Sequence, residues 1–567
     1  MRRGCLLGLV AAAALALPAS AWAHAALLQT IPEASRTIDR APTEVRLRYS
    51  EPIEARFAIV SVTDAAGHDV TSGEPASDPG SPQTLVTPLK HVPEGWYLVF
   101  WRVISADGHP VRGAFTFAVG PNAGPPPQFR VPSLSETATT TRLLIARWVV
   151  FLSLLTALGL FVLRALIARP VVRVVRGCSL RPLTVAFAIA VAVALVATPI
   201  YVLFATAQFT LRPVWDLGAI VPLARASGFG RDFLDLELVL ALFAVAAGAA
   251  LFVDRPDREQ RSVTELLALP AALAAGAATL VLPALAGHAG QKSPRGLSLP
   301  LDAAHLGAAG IWLGGLVGIG VLWLSVGAAG RAAVLAHVVP RFSAVAFCSV
   351  LLLIGTGIGQ SLLELPTFAT LWQTSYGQAL LWKIGLLAAA LVLAAVNLAR
   401  TKPRLQAGDA SAPLLLRRLV QGEILFVAAA VFAAGVLASL PPPSTALARV
   451  HNVAARVGPG PVSKVVAMPR YDVRVRVTPN RAAVANTFSL ELTRNGRPVR
   501  GAEVVTKFDM LDMQMGEQSY RFRELRPGVF SKSAPALVMV GHWGLLFEVT
   551  PSGGKPFVVT LLDKAGG

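Results

Sequence analysis

The strongest constraint on the fold is a series of about eight apolar stretches, each close to the roughly 20 residues that a helix needs to cross a bilayer. A composition of 54% hydrophobic and 15% charged residues is too apolar for a soluble protein. The sequence therefore predicts a multidomain membrane protein with a transmembrane bundle over residues 141–440. The predicted spans are 143–167, 182–206, 232–253, 264–287, 299–325, 341–363, 378–399 and 418–440.

Lysine and arginine residues are divided unequally between the predicted loops. The loops after the first, third, fifth and seventh spans carry fourteen of them, and the opposite loops carry five. Because basic loops are retained in the cytoplasm, this pattern predicts that both terminal regions are extracytoplasmic and that the bundle lies in a bacterial inner membrane. It also accounts for much of the net charge of +18 without a nucleic-acid partner.

Both terminal regions show the alternation of short apolar strands and turn residues that is typical of β-domains. This pattern predicts a small β-sandwich over residues 24–119, and the prolines that follow indicate a linker over residues 120–140. After the bundle, a second linker is predicted over residues 441–464 and a second small β-sandwich over residues 465–567.

The first residues have the pattern of a secretory signal peptide, predicted over residues 1–23: two arginines, an apolar run, and Ala21-Trp22-Ala23 at the cleavage site. Cleavage would make His24 the N-terminus, whose amine and ring nitrogen form a chelate suited to Cu(II). Asp107 and His109 follow a predicted strand, two residues apart, and could point to one side of an extended segment. From residue types alone, a disordered terminus and an incidental turn histidine remain an alternative.

Three stretches resemble the CopC copper-resistance family over nearly all of residues 24–119. They are His24-Ala25-Ala26-Leu27, the stretch from Pro42 to Glu51 with Leu47 and Ser50-Glu51-Pro52, and residues 101–110. The resemblance implies a cupredoxin-like or immunoglobulin-like β-sandwich. It also implies a Cu(II) site formed by His24, Asp107 and His109. Some members carry a methionine-rich Cu(I) site as well, but residues 24–119 contain no methionine, so that site is not expected.

Two histidines fall in the outer half of the predicted bundle. His288 closes the fourth span, and His305 lies about 9 Å into the fifth at 1.5 Å per residue. Asp302 precedes His305 by one helical turn and could orient its imidazole. Because ionisable groups inside a membrane are costly, the three are a candidate transport site. The alternative is that both histidines simply lie at the membrane interface.

The bundle resembles CopD, the membrane partner of CopC, over roughly residues 140–440. The stretches that carry this resemblance are 287–289, 302–306, 311–315, 341–343, 376–383 and Glu423. Fusion of the two proteins in one chain resembles the YcnJ-like copper import proteins. Arg147, Lys383 and Glu423 lie near the ends of predicted spans, where we expect long side chains to reach the surface.

The C-terminal region contains all the methionines except Met1. Met510-Leu511-Asp512-Met513-Gln514-Met515, with Met539 and Gly541-His542-Trp543, resembles a YtkA-like domain over residues 465–567. Thioethers select Cu(I), so Met513, Met515, Met539 and His542 form a candidate Cu(I) site. Methionine as a filler of gaps in a small β-core is the alternative.

These features predict a copper-binding membrane protein that is not an enzyme. It would capture Cu(II) outside the membrane and import copper, in copper homeostasis and resistance, with copper ions, the bilayer and other periplasmic copper carriers as partners. No nucleotide-binding loop occurs, so uptake would use a gradient or the membrane potential. A membrane copper or haem redox enzyme, and a copper sensor or sequestration protein without transport, remain alternatives.

Overall fold

The computed structural model divides into a helical unit, residues 140–363 and 379–438, and a β unit formed by the described parts of 24–139, 364–378 and 439–567. It describes residues 27–566 apart from 35, 50–51, 105–109, 125–126, 128–139, 176, 211, 287–294, 408, 410, 441–442, 444–449, 451, 483, 513–517 and 539.

The helices are α1 Thr141–Val162, α2 Val171–Val174, α3 Arg181–Thr210, α4 Leu217–Ala226, α5 Gly228–Val253, α6 Val263–Ala286, α7 Arg295–Ser325, α8 Ala328–Glu364, α9 Thr370–Gln373, α10 Ser375–Val396, α11 Lys402–Gln406 and α12 Ala412–Leu437. Within the described ranges, 8 helices are long and apolar enough to cross a membrane, which confirms the predicted layout. They are α1, α3, α5, α6, α7, α8, α10 and α12. Short π-helical segments, Leu163–Ile167 and Asn397–Thr401, extend α1 and α10.

Helix α1 is the most buried span, and glycines bring it into backbone contact with α7. A Cβ atom at Gly159 would lie 2.1 Å from the carbonyl oxygen of Gly310, and one at Gly314 would lie 2.6 Å from the Cα of Gly159. Small residues at such crossings allow close helix packing, which in a membrane replaces the missing hydrophobic driving force. This contact fixes the position of α7, the helix that carries His305.

A buried ion cluster joins α1, α5 and α6 at the end of the bundle opposite the start of α7. Arg164 and Arg169 both bind the carboxylate of Asp254, and Arg169 Nε lies 2.8 Å from Asp254 Oδ1. Glu265 Oε1 lies 3.4 Å from Arg169 Nη2. Removing one partner would leave an uncompensated buried charge, which typically costs about 3–5 kcal/mol.

The N-terminal domain is a sandwich of two four-stranded sheets, as predicted. One sheet has the order β1-β3-β6-β5 and the other β2-β8-β7-β4. Alternate residues of both sheets, such as Leu47 and Trp101, fill the core between them. The strands are β1 Leu27–Ile31, β2 Thr37–Ile38, β3 Glu44–Tyr49, β4 Ile59–Asp64, β5 Ala76–Asp78, β6 Ser81–Pro88, β7 Gly95–Ile104 and β8 Pro110–Val119.

The C-terminal domain also contains two sheets, with the orders β10-β11-β12-β17-β16 and β15-β14-β18-β19-β9. Strand β9 and the start of β10 lie inside residues 441–464, the stretch predicted as a linker. Since β9 pairs in parallel with β19, this part of the stretch belongs to the C-terminal domain. The strands are β9 Val453–Val457, β10 Val462–Met468, β11 Tyr471–Thr478, β12 Asn486–Arg494, β13 Arg497–Pro498, β14 Glu503–Met510, β15 Gln518–Arg521, β16 Arg523–Arg526, β17 Val529–Ala534, β18 Gly541–Thr550 and β19 Phe557–Ala565.

The two β-domains contact each other within the β unit. Ala114 N on β8 donates to the carbonyl oxygen of Val538, at 3.2 Å, and buried apolar residues of both sandwiches form one continuous cluster. The two domains therefore share a packed contact rather than being joined only through the bundle.

Candidate metal centres

The predicted Cu(II) ligands His24, Asp107 and His109 lie outside the described residues, so their arrangement remains a prediction. The strands that hold the 105–109 connection are described. Ile104 at the end of β7 pairs with Pro110 at the start of β8. The connection that contains Asp107 and His109 is therefore anchored at both ends by neighbouring antiparallel strands.

Two arginines on these strands were not singled out from the sequence. Arg102 on β7 is paired in register with Arg112 on β8. Burial and, to a smaller extent, the positive charge of Arg112 together lower the pKa of Arg102 to about 10. The strands leading into and out of the predicted metal loop thus carry two positive side chains, and such charges favour an ionised carboxylate nearby.

In the bundle, His305 on α7 is held through its Nδ1 atom by a residue of α8. Nδ1 lies 2.9 Å from Thr356 Oγ1, and the Thr356 hydroxyl donates in turn to the carbonyl oxygen of Leu352, at 2.7 Å. Since the single hydroxyl proton is used in that bond, Oγ1 accepts from Nδ1–H of His305. This arrangement would leave Nε2 to coordinate a metal, which takes the unprotonated ring nitrogen.

Asp302 lies in the same cluster, and its role in orienting the imidazole stays a prediction. Its Oδ1 accepts a hydrogen bond from Gln360 Nε2 on α8, at 2.8 Å, while Thr356 holds His305. Lys383 on α10 interacts electrostatically with both Asp302 and His305. Three helices thus bring an imidazole, a carboxylate, an amide and an ammonium group together. The third predicted member of this site, His288, lies outside the described residues.

The expectation that Arg147 and Glu423 reach the membrane surface is wrong. Arg147 is 8% exposed, because its Nε donates to the hydroxyl of Tyr201 at 3.0 Å and its Nη1 lies 3.4 Å from the carbonyl oxygen of Gly435. Glu423 is 2% exposed and accepts a hydrogen bond from Asn397. Tertiary contacts with neighbouring helices outweigh the tendency of long side chains to extend toward water.

His542, at the start of β18, is the described member of the candidate Cu(I) site, and a carboxylate holds it. Asp512 Oδ2 accepts from the backbone N–H of His542 at 2.6 Å, and the imidazole Nδ1 lies 3.0 Å from the same oxygen. A metal-binding histidine typically donates its second ring N–H to such a carboxylate. Met513, Met515 and Met539 fall outside the described residues.

Asp512 lies close to the backbone of Gly541, next to His542, and a second carboxylate, that of Asp563, is also near His542. A Cβ atom at Gly541, where φ is +141°, would lie 2.5 Å from Asp512 Oδ2, so only glycine fits there without a shift. Burial raises the pKa of Asp563 to about 6, although Asn480 Nδ2 donates to its Oδ1 at 2.9 Å. Asp563 also interacts electrostatically with His542.

Within the described part of the chain, no three His, Cys, Asp or Glu side chains come together as a metal site. The partners that sequence reasoning missed are Thr356, Gln360 and Asp512. The first two lie four residues apart on α8, a spacing that places them on one face of the helix, and this spacing was the signal in the sequence. Asp512 lies 30 residues from His542, and only the pairing of β14 with β18 brings them together.

Four sequence families match successive parts of the chain. They are the CopC domain over residues 27–120, the copper resistance protein D-like N-terminal domain over 138–297, copper resistance protein D over 336–437, and a YtkA-like domain over 467–546. Thr356, Gln360 and Lys383 lie inside the copper resistance protein D match. Asp302 and His305 lie between the two matches of the membrane part.

Similar proteins cover either the whole chain or its first domain. Copper transport protein CutJ of Bacillus subtilis (strain 168) is 26% identical over 554 residues, 93% of each chain. Copper resistance protein C of Escherichia coli is 31% identical over 109 residues, 18% of this chain and 84% of that protein. The crystal structure of CopC from Methylosinus trichosporium OB3b covers 19% of this chain and 100% of that chain, at 27% identity and a TM-score of 0.17. The chain therefore belongs to the CopC family through its N-terminal domain, which it joins to copper resistance protein D and YtkA-like domains in one multi-pass membrane polypeptide.

Proposed function

We propose that the protein captures copper on its extracytoplasmic N-terminal domain and transports it across the membrane through the helical bundle. The observation that carries this proposal is the imidazole of His305, whose Nδ1 lies 2.9 Å from Thr356 Oγ1 within the bundle. The name of the full-length relative, copper transport protein CutJ, supports copper as the cargo. Eight spans and the excess of basic residues in alternate loops support extracytoplasmic N- and C-terminal domains.

The two β-domains would bind copper in different oxidation states, because their candidate ligands differ in chemistry. His24, with its free amine, and His109 and Asp107 would bind Cu(II), which favours nitrogen and oxygen donors in a tetragonal site. Met513, Met515, Met539 and His542 would bind Cu(I), because thioethers are soft ligands. The two sets belong to different predicted β-domains of the sequence, residues 24–119 and residues 465–567.

The electrostatics of the His305 cluster favour passage over storage. Asp302 attracts a cation, whereas Lys383, which interacts with both Asp302 and His305, opposes it. A transported ion must bind well enough to enter a site and weakly enough to leave it. The cluster combines both tendencies and would hold copper only briefly, together with His288 if that residue joins it.

Copper uptake by proteoliposomes that contain the full chain tests this proposal. His305→Ala should abolish uptake, since the nitrogen ligand is lost. The matched control is His337→Ala on α8, because His337 is half-buried and its Nδ1 lies 2.9 Å from the carbonyl oxygen of Ala333 in its own helix. Uptake by His305→Ala at the rate of the unaltered protein would refute the proposed path.

A further inference from the structure

A second polar pair lies deep in the bundle, away from the His305 cluster. Glu423 on α12 accepts a hydrogen bond from Asn397, the first residue of the π-helical segment Asn397–Thr401. Among the described residues, Asn397 Oδ1 and Thr401 Oγ1 are buried without a hydrogen-bond partner. Single π-helical turns inside α-helices are frequent at functional sites. A buried oxygen with unused acceptor capacity, Asn397 Oδ1, therefore lies beside the Glu423 carboxylate where α10 is distorted.

Asn397 and Glu423 border a cavity of about 220 Å³ between α7, α8, α10 and α12. Its lining is almost wholly apolar, and its polar groups come from Ser343, Asn397 and Glu423. The rings of Trp312 and Phe342 form part of the wall, and aromatic faces attract cations. The cavity thus offers space for an ion at a point where oxygen donors and aromatic faces converge.

The cavity continues along the same three helices that form the His305 cluster. At 1.5 Å per residue, Trp312 lies about 10 Å beyond His305 on α7, and Asn397 lies about 21 Å beyond Lys383 on α10. On α8, Ser343 is separated from Thr356 by about 20 Å. An ion leaving the His305 cluster between these helices would reach the cavity next and the Glu423–Asn397 pair last.

Glu423 has no positively charged partner in the described parts of the chain. A buried carboxylate without a counter-charge is unfavourable, and in membrane helices such residues mark ion pathways. A purely structural pair would serve as well with glutamine at this position, because the hydrogen bond from Asn397 needs only an acceptor oxygen. The presence of a carboxyl group points to a cation as the missing partner.

We infer that Glu423 and Asn397 form a second, inner cation-binding station, which receives the copper ion released from the His305 cluster. The inference rests on the proposed transport function. Carboxylate and amide oxygens are harder donors than imidazole or thioether and bind copper more weakly. The station therefore balances the charge of the ion in the half of the bundle that the Asp302 carboxylate does not serve, and allows the ion to leave.

The test is copper uptake by proteoliposomes that contain the Glu423→Gln variant of the full chain. Glutamine preserves the hydrogen bond to Asn397 but removes the charge, so uptake should fall about tenfold or more. Copper bound by the protein in detergent at the N-terminal domain should stay the same. The matched control is Glu237→Gln, which removes a carboxyl group from α5, a helix that does not line the cavity.

A second variant distinguishes loss of the ion site from misfolding of Glu423→Gln. Ala346→Leu fills part of the cavity without changing any charge, and it should also slow uptake if copper passes there. Uptake at the unaltered rate in both variants, with His305→Ala inactive, would overturn the inner station and leave the proposed function standing. No uptake by the unaltered protein would overturn both.

Discussion

His305 in the bundle and His542 in the C-terminal domain are both held through Nδ1, but by different chemical groups. The partner of His305 is the neutral hydroxyl of Thr356, at 2.9 Å, whereas the partner of His542 is the carboxylate of Asp512, at 3.0 Å. A carboxylate raises the basicity of a ligating histidine and adds negative charge, and a hydroxyl only fixes the ring. The difference suits a site that releases its ion in the membrane and one that retains it outside.

The predicted Cu(II) site would orient its histidine in a third way, through its own backbone. The amine and Nδ1 of His24 form a chelate ring that an internal histidine cannot reproduce. Adding one residue before His24 converts the amine to an amide, and the Cu(II) affinity of a fragment of residues 24–119 should then fall by orders of magnitude. This is the largest effect that we expect.

Titration of both fragments with Cu(II), followed by electron paramagnetic resonance, measures that loss. The native fragment should give a tetragonal, nitrogen-rich spectrum, and Asp107→Ala should cost less than the added residue because water can replace one oxygen donor. Equal affinities and identical spectra for the native and extended fragments would rule out the terminal chelate and direct attention to His68 or His91.

The second effect concerns the hydroxyl that holds His305. Thr356→Val keeps the shape of the side chain but removes the acceptor for Nδ1–H, so the imidazole loses its fixed orientation. Removal of such a partner typically costs about 10- to 100-fold in activity or affinity, and we expect a loss of that size in copper uptake by proteoliposomes. Thr356→Ser keeps the hydroxyl and should transport normally. A valine variant as active as the serine variant would show that orientation of the ring is unimportant.

The smallest effect concerns the carboxylate that holds His542. Asp512→Asn removes the charge but keeps one acceptor oxygen for the backbone N–H of His542, so the fold should persist. Cu(I) affinity at the C-terminal domain should fall about tenfold, the lower end of what loss of such a partner costs. Competition with a Cu(I) chelator measures it, and Asp472→Asn on the exposed face of β11 is the control. Unchanged affinity would argue for packing as the role of this histidine.

The spans and sandwiches were predictable because their signals are local. Twenty-residue apolar runs located the helices, and two-residue alternation located strands such as Gly95–Ile104. The dipeptide Asn495-Gly496 is a further local signal, and it forms the turn between β12 and β13 with positive φ at both residues, 49° and 76°. Thr356 and Asp512 could not be assigned to their histidines, because helix packing and strand pairing bring together residues 51 and 30 positions apart.

Glu423 shows where a local rule misleads. Its position within the first turns of the last span suggested a side chain that reaches the surface, yet it is 2% exposed and hydrogen-bonded to Asn397 across two helices. A residue near the end of a span in the sequence can either reach the surface or face the interior of the bundle. For Glu423, the packing of α10 against α12 determines that it faces the interior.

Steady-state copper accumulation by proteoliposomes under an imposed potential tests the transport claim most directly. With the interior at −100 mV, each positive charge gains about 2.3 kcal/mol on entry. At about 1.4 kcal/mol per factor of ten, we predict an accumulation of about fortyfold for Cu(I) or about two-thousandfold for Cu(II), lost in His305→Ala. Accumulation no greater than in protein-free vesicles would contradict copper transport by this bundle.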